Sequence, residues 1–256
     1  MLVDLLFDPF GGRWGDVRDG AVAAEQAGFD GLWLYDHLAG SVHAESHVLE
    51  CWTTLTAIAT AVPRIAIGPL VLNVANRDPG TLAVMAATLQ EVSQGRLMLG
   101  LGAGGGRETP YAAEQEALGR RVLGSRARRQ AVQDAVDRLR SVWSGATGGA
   151  GGFLRPEPPP PVIIGGFGPK MAELAGRVAD GLNAPAGPQL HELVRVARDA
   201  HAASGRDAEG FIITVSASPS RTSIERLTEL GVHRVIVHVR APYVNGVARV
   251  HEALAR

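Results

Sequence analysis

Lysine and cysteine are nearly absent from this chain: Lys170 and Cys51 are the only examples among 256 residues. A single cysteine excludes an internal disulfide and a thiolate metal cluster. An excess of either charge is missing too, since 25 Lys and Arg stand against 26 Asp and Glu, for a formal net charge of -1. That balance gives no electrostatic reason to expect nucleic acid or an anionic membrane as partner. Long apolar runs are also lacking. The opening MLVDLLFDPF has no basic flank and carries Asp4 and Asp8 inside its apolar run, unlike a secretory signal, and no later run is long enough to span a bilayer. The expectation is a cytoplasmic enzyme or binding protein whose partner is a small molecule.

Glycine, by contrast, is plentiful at 32 residues, and 46% of the chain is hydrophobic. Short apolar runs alternate with helical patterns throughout. Strands are expected near 2–7, 31–35, 65–72, 96–101, 161–165, 180–183, 211–216 and 234–239, mostly as continuous apolar runs of the kind found in doubly covered parallel strands. Helices fill the intervals. The clearest runs from Pro79 to Gln94, with Leu82, Met85, Ala86, Leu89 and Val92 as its apolar stripe, Asp78 as N-cap and Gly95 closing the end. Thr222 and Glu225 read as a capping box for a helix stopped by Gly231, and Val247, Val250 and Leu254 mark a terminal helix. Eight strands, each followed by a helix, predict an α/β protein of the (β/α)8 TIM-barrel class in a single domain over 1–256, with an open doubly wound sheet as the alternative. The Gly/Pro-rich segment 144–161 is read as a loop within that barrel, because the rhythm continues on both sides.

The run LMLGLGAGGG places Gly100, Gly102 and Gly105 at GxGxxG spacing. A dinucleotide-binding turn belongs after the first strand, with an acidic residue about 20 positions later. Here the run follows the fourth strand, and the arginine-rich GSRARRQ comes next, so the dinucleotide reading fails. What survives is a glycine wall at the C-terminal end of a barrel strand, where a flat ligand can approach the backbone. Barrel function sits at that face. The strand ends expected there bring Asp36 and His37, then Asn73, Asn76 and Arg77, then Gly102 and Gly104, then GGFGPK at 165–170. This last turn feeds a helix N-terminus beside Lys170, an arrangement suited to phosphate.

AEQAGFDGLWLYDHL, PRIAIGPLVLNVANRDPGTLAVMAATLQEVSQGRLMLGLGAG and PPVIIGGFGPKMAELAGRVADGLN resemble the bacterial luciferase-like monooxygenases and F420-dependent oxidoreductases. The resemblance implies a (β/α)8 barrel holding coenzyme F420, or FMN as the alternative, at its C-terminal face. It implies Asp36 and His37 beside the ring, with His37 donating a hydrogen bond or shuttling a proton. Leu70–Val71 falls where the family has a non-prolyl cis peptide pressing on the ring. Asn73 would reach the ring or ribityl chain, and Gly102, Ala103 and Gly104 would line the cleft. Gly165, Gly166, Phe167 and Gly168, with Lys170, would hold the phosphate. A homodimer and hydride transfer to or from a small organic substrate are further implications, with no metal. The region that usually covers the substrate is abbreviated here to the Gly/Pro loop. The sugar-phosphate dehydrogenase branch has a tryptophan near the position of Ser41 and a glutamate near that of Gly105; this chain has neither.

Other features have plainer readings. His37, His43 and His47 lack a metal-site pattern. Cys51 reads as a buried, inert residue. Arginines 120, 121, 126, 128 and 129 read as a solvated face, with attraction of an anionic ligand as the alternative. Trp14 reads as a pocket wall or a lid on the barrel rim. A cofactor-binding barrel without turnover is the competing functional class.

Overall fold

The computed structural model describes residues 1–255; Arg256, the last residue of the expected 1–256 domain, lies outside them. The chain runs β1 (Leu2–Phe7), α1 (Trp14–Gln26), β2 (Gly31–Leu34), α2 (Cys51–Ala61), β3 (Ala66–Pro69), β4 (Leu72–Asn73) and α3 (Pro79–Val92). It continues through β5 (Leu99–Gly102), α4 (Ala112–Ala117), α5 (Ser125–Ser144), β6 (Val162–Gly165), α6 (Pro169–Val178) and β7 (Gly181–Pro185). The last elements are α7 (Leu190–Ala203), β8 (Ile212–Ser216), α8 (Arg221–Glu229), β9 (Arg234–Val239) and α9 (Tyr243–Ala255). All strand pairs are parallel, in the order β3-β2-β1-β9-β8-β7-β6-β5-β4. A parallel bridge between Ile67 and Leu97 closes the ring, so this is a TIM barrel and not an open sheet. No described helix is long and apolar enough to cross a membrane.

The expected strand 65–72 is two strands, β3 and β4, because the Leu70–Val71 peptide between them is cis. The expected strand 96–101 becomes β5 only at Leu99; residues 96–98 hydrogen-bond instead to Ile67. Two other details of the helices differ. Ser220, not Thr222, caps α8, its hydroxyl accepting from the Ser223 amide. Val92 faces solvent at 43% exposure, while Leu82, Ala86 and Leu89 carry the buried stripe of α3. Asp78 caps α3 as expected, through the Thr81 amide, and Gly95 takes a left-handed φ of +83°.

Side chains alternate along each strand. Leu5, Phe7, Val235 and Val237 point outward into the shell of helices, while Leu6, Trp33, Met98, Ile163 and Ile236 fill the barrel interior. Below this apolar layer Asp4 accepts hydrogen bonds from Arg234 at 2.6 and 2.7 Å and from the Trp33 indole at 2.8 Å. Gly31 leaves room for that ion pair, since a Cβ there would lie 2.7 Å from the Asp4 carboxylate. The same alternation, two residues on, lifts Asp8 just past β1 and His238 on β9 to the barrel mouth.

Candidate active site

A cleft of about 1180 Å³ opens at the C-terminal ends of the strands. Asp36, His37, Leu70, Val71, Asn73, Gly102, Ala103, Gly104, Gly165, Gly166, Phe167, Gly168 and Lys170 all line it, so the fold brings every expected site position together. Their individual roles differ from a simple wall.

Asp36 does not offer its carboxylate to the cleft. The side chain is fully buried and forms a bidentate pair with Arg77 at 2.8 and 2.9 Å, while also accepting the Asn73 amide. Arg77 bonds in turn to Glu50, and these two carboxylates raise its basicity against the opposing effect of burial. Asp36 therefore braces the strand ends, and of these two neighbours it is His37 that faces the cleft. Removing one partner of such a buried pair leaves an uncompensated charge, which typically costs about 3–5 kcal/mol.

His37 is held by a residue with no signal in the sequence. Glu114, on α4, is 5% exposed and places both carboxylate oxygens 3.2 Å from His37 Nδ1. It also accepts the amides of Leu38 and Ala39 at 3.3 Å. A carboxylate facing Nδ1 fixes the proton there, so Nε2, which has no protein partner among the described residues, is free to take or give a proton. Tyr35, Phe10 and Tyr111 surround the imidazole at ring separations of 6.0, 5.2 and 4.8 Å. His43 lies 5.8 Å away, but His47 is turned to the Gly12 carbonyl, and no group of three metal-binding side chains forms among the described residues.

The glycines serve a bulge. Gly100, Gly102 and Gly165 sit at alternate, inward-facing positions of β5 and β6. A Cβ on Gly100 would collide with the Pro69 carbonyl, one on Gly102 with the Val71 side chain, and one on Gly165 would lie 2.9 Å from Val71. The space that the sequence suggests for a flat ligand is thus filled by Val71, which lines the cleft itself. Gly104 adopts a φ of +66° over Asn73, whose carbonyl caps the following turn through the Ala75 amide.

Cations gather on the β5–β6 side. Arg128 donates to the Gly104 carbonyl at 2.7 Å, and its buried Nε has no hydrogen-bond partner. Arg129 and Lys170 line the same cleft, and no side chain caps the N-terminus of α6 at Gly168. The solvated-face reading holds for Arg121 and Arg126 but not for these two arginines, nor for Arg120, which bonds to Asn76. Trp14 starts α1 and does not line the cleft. Cys51 is fully buried, and burial pushes its thiol well up.

A family model described as luciferase-like monooxygenase matches residues 7–253. The chain belongs to this family. An F420-dependent glucose-6-phosphate dehydrogenase from Nakamurella multipartita is 32% identical over 206 residues, covering 75% of this chain and 59% of that protein. The chain thus spans under two thirds of the length of that relative. An F420-dependent hydroxymycolic acid dehydrogenase from Mycobacterium tuberculosis is 32% identical over 173 residues, 63% of this chain and 46% of the other. Among solved structures, an F420-dependent secondary alcohol dehydrogenase in complex with an F420-acetone adduct superposes with a TM-score of 0.84 at 18% identity, covering 99% and 98% of the two chains. Neither Ser41 nor Gly105 offers a tryptophan or a glutamate to this cleft; Tyr111 and Glu114 reach His37 from α4 and the turn before it.

Proposed function

We propose that this luciferase-like protein is an F420-dependent oxidoreductase that transfers hydride between the deazaflavin and a small organic substrate. The observation that carries the reading is the pairing, in one cleft, of the His37–Glu114 couple with an unpartnered Arg128 Nε beside a glycine-rich helix start. The residues fit the group. Val71, Leu70 and Ala103 give an apolar face for a flat ring, and Gly165, Gly166, Phe167 and Gly168 with Lys170 form the anion cradle. Arg128 and Arg129 line the same cleft and add positive charge for that anionic chain.

When bound, the deazaflavin supplies the hydride-carrying carbon; the barrel supplies orientation and proton handling. Val71 fixes the depth at which a ring can lie, because its methyl groups fill the positions left open by Gly102 and Gly165. His37 takes the substrate hydroxyl proton on Nε2 during oxidation or returns it to the carbonyl oxygen during reduction. Glu114 stabilises the imidazolium in between, as a positioning residue. Asp36 and Arg77 hold the strand ends on which His37 and Asn73 are mounted. The protein acts in the cytoplasm as one barrel domain and a homodimer; the exposed Val84 and Val92 on the outer face of α3 support the dimer, and sedimentation measures it.

Turnover tests the activity. Substitution of His37 by alanine is expected to lower the rate of deazaflavin reduction or reoxidation by about 10²–10⁴-fold without changing cofactor affinity. Bound cofactor that no alcohol, aldehyde or ketone oxidises or reduces would instead make the chain a binding protein without turnover.

A further inference from the structure

The barrel mouth has a second cationic corner, across the ring from Arg128 and Lys170. A side chamber of about 210 Å³ lies between the loops that follow β8 and β9, lined by His238, Arg240, Arg249, Pro219 and Gly246. His238 and Arg240 also line the main cleft, so they stand between the two cavities. These loops follow the seventh and eighth strands of the ring, the corner where barrels commonly bind phosphate groups.

The charges there do not cancel. Asp8 is the carboxylate that His238 and Arg240 share, at 3.3 and 3.5 Å, and it also accepts the Phe10 amide at 3.1 Å. Burial works to raise the Asp8 carboxyl, but His238, the Phe10 N–H and Arg240 outweigh it and hold the group below its ordinary range. Arg249 has no carboxylate partner within 4.0 Å among the described residues. Two arginines and a histidine thus face one saturated acid.

Arg240 comes nearest to Asp8 through Nε, at 3.5 Å, and no hydrogen bond engages its guanidinium among the described residues, so its donors remain available for a planar, bidentate oxyanion. The Tyr35 ring lies 5.7 Å from His238 and 6.0 Å from His37, so it bridges the chamber and the proton-handling histidine. A molecule in the cleft can present its anionic end to Arg240 and His238 and its reacting carbon to His37, since all three line it.

We propose that Arg240, assisted by Arg249 and His238, anchors an oxyanion of the substrate. The substrate is then a hydroxy or oxo compound that carries a phosphate or carboxylate. This proposal rests on the cofactor occupying the opposite, Arg128 side of the cleft.

Calorimetric titration with inorganic phosphate, and separately with acetate, on protein with and without F420 tests the anchor. Saturable binding of either anion is expected, tighter for the one that matches the substrate. R240A is expected to weaken it at least tenfold, about 1.4 kcal/mol, and R249A is expected to weaken it by a smaller factor. F420 affinity should stay unchanged in both. R128A is expected to do the reverse, weakening F420 and sparing the chamber. Arg240 is largely exposed, so its replacement leaves the fold intact. Equal anion affinity in wild type and R240A, or no binding of either anion, overturns the anchor. Arg240-dependent anion binding in a protein that ignores F420 contradicts the cofactor reading alone.

Discussion

At the residue scale the proposed proton transfer rests on His37 and Glu114, and the two are separable. In E114Q the amide oxygen still accepts the Leu38 and Ala39 N–H groups, so the loop stays in place, but the charge opposite Nδ1 is gone. The imidazole then loses the carboxylate that fixes its Nδ1 proton. The expected outcome is a lower kcat with KM and F420 affinity unchanged. A raised KM with kcat unchanged would reduce Glu114 to a structural prop. The sequence exposes His37 and Asp36 because both stand at the end of an apolar strand. It hides Glu114, which lies 77 residues from its partner in a six-residue helix with no apolar period to mark it. It also leaves open which of the adjacent Asp36 and His37 faces the cleft, since only the position of Arg77 decides that.

Element by element, β5 shows how a correct motif can carry the wrong reason. Gly100 and Gly102 were expected to admit a ligand, but their missing side chains admit Pro69 and Val71 from the neighbouring strand pair. G100A drives a Cβ against the Pro69 carbonyl, a backbone atom that cannot rotate away. Overpacking of this kind costs about 1–3 kcal/mol, and for a chain of this size each 1 kcal/mol lowers Tm by roughly 2–4 °C. Thermal unfolding of G100A checks it; an unchanged Tm would mean that β3 and β4 have room to give. Strand and helix identities were legible because the apolar runs are short and well punctuated. The break between β3 and β4 was legible only through family resemblance, since no local pattern in GPLVLN announces it. The cap at Ser220 was missed because Thr222 and Glu225 offer an equally good local spacing two residues on.

Across the whole molecule, three groups tie stability to pH in one direction. Burial works to raise Asp8 and Glu50, but His238 with the Phe10 N–H and Arg240 at Asp8, and the Thr53 and Trp52 N–H groups with Arg77 at Glu50, hold both below the ordinary carboxylate range. Their contribution is present above roughly pH 4, the unfolded value, and is lost as pH falls through the lower folded values. His233 is lowered too, by burial and by Arg198, while its Nδ1 accepts the Ile213 amide. The unfolded chain binds that proton first, so this contribution begins to fade below roughly pH 6.5. Tm is therefore expected to fall in two stages as the solution is acidified, and H233Q should remove the first. A Tm level from neutral pH down to the carboxylate range would refute this. The barrel itself was readable from eight alternating units. The sorting of cations to two opposite corners was not, because Arg128 on α5 and Arg240 after β9 meet the same cleft from units half a ring apart.

The cofactor is the centre of the account, and paired titration with F420 and FMN, followed by fluorescence and absorbance, tests it most directly. Saturable binding of F420, weakened at least tenfold in R128A and K170A, with FMN bound more weakly, is the result expected. Preferential binding of FMN, or binding of neither, would contradict the assignment.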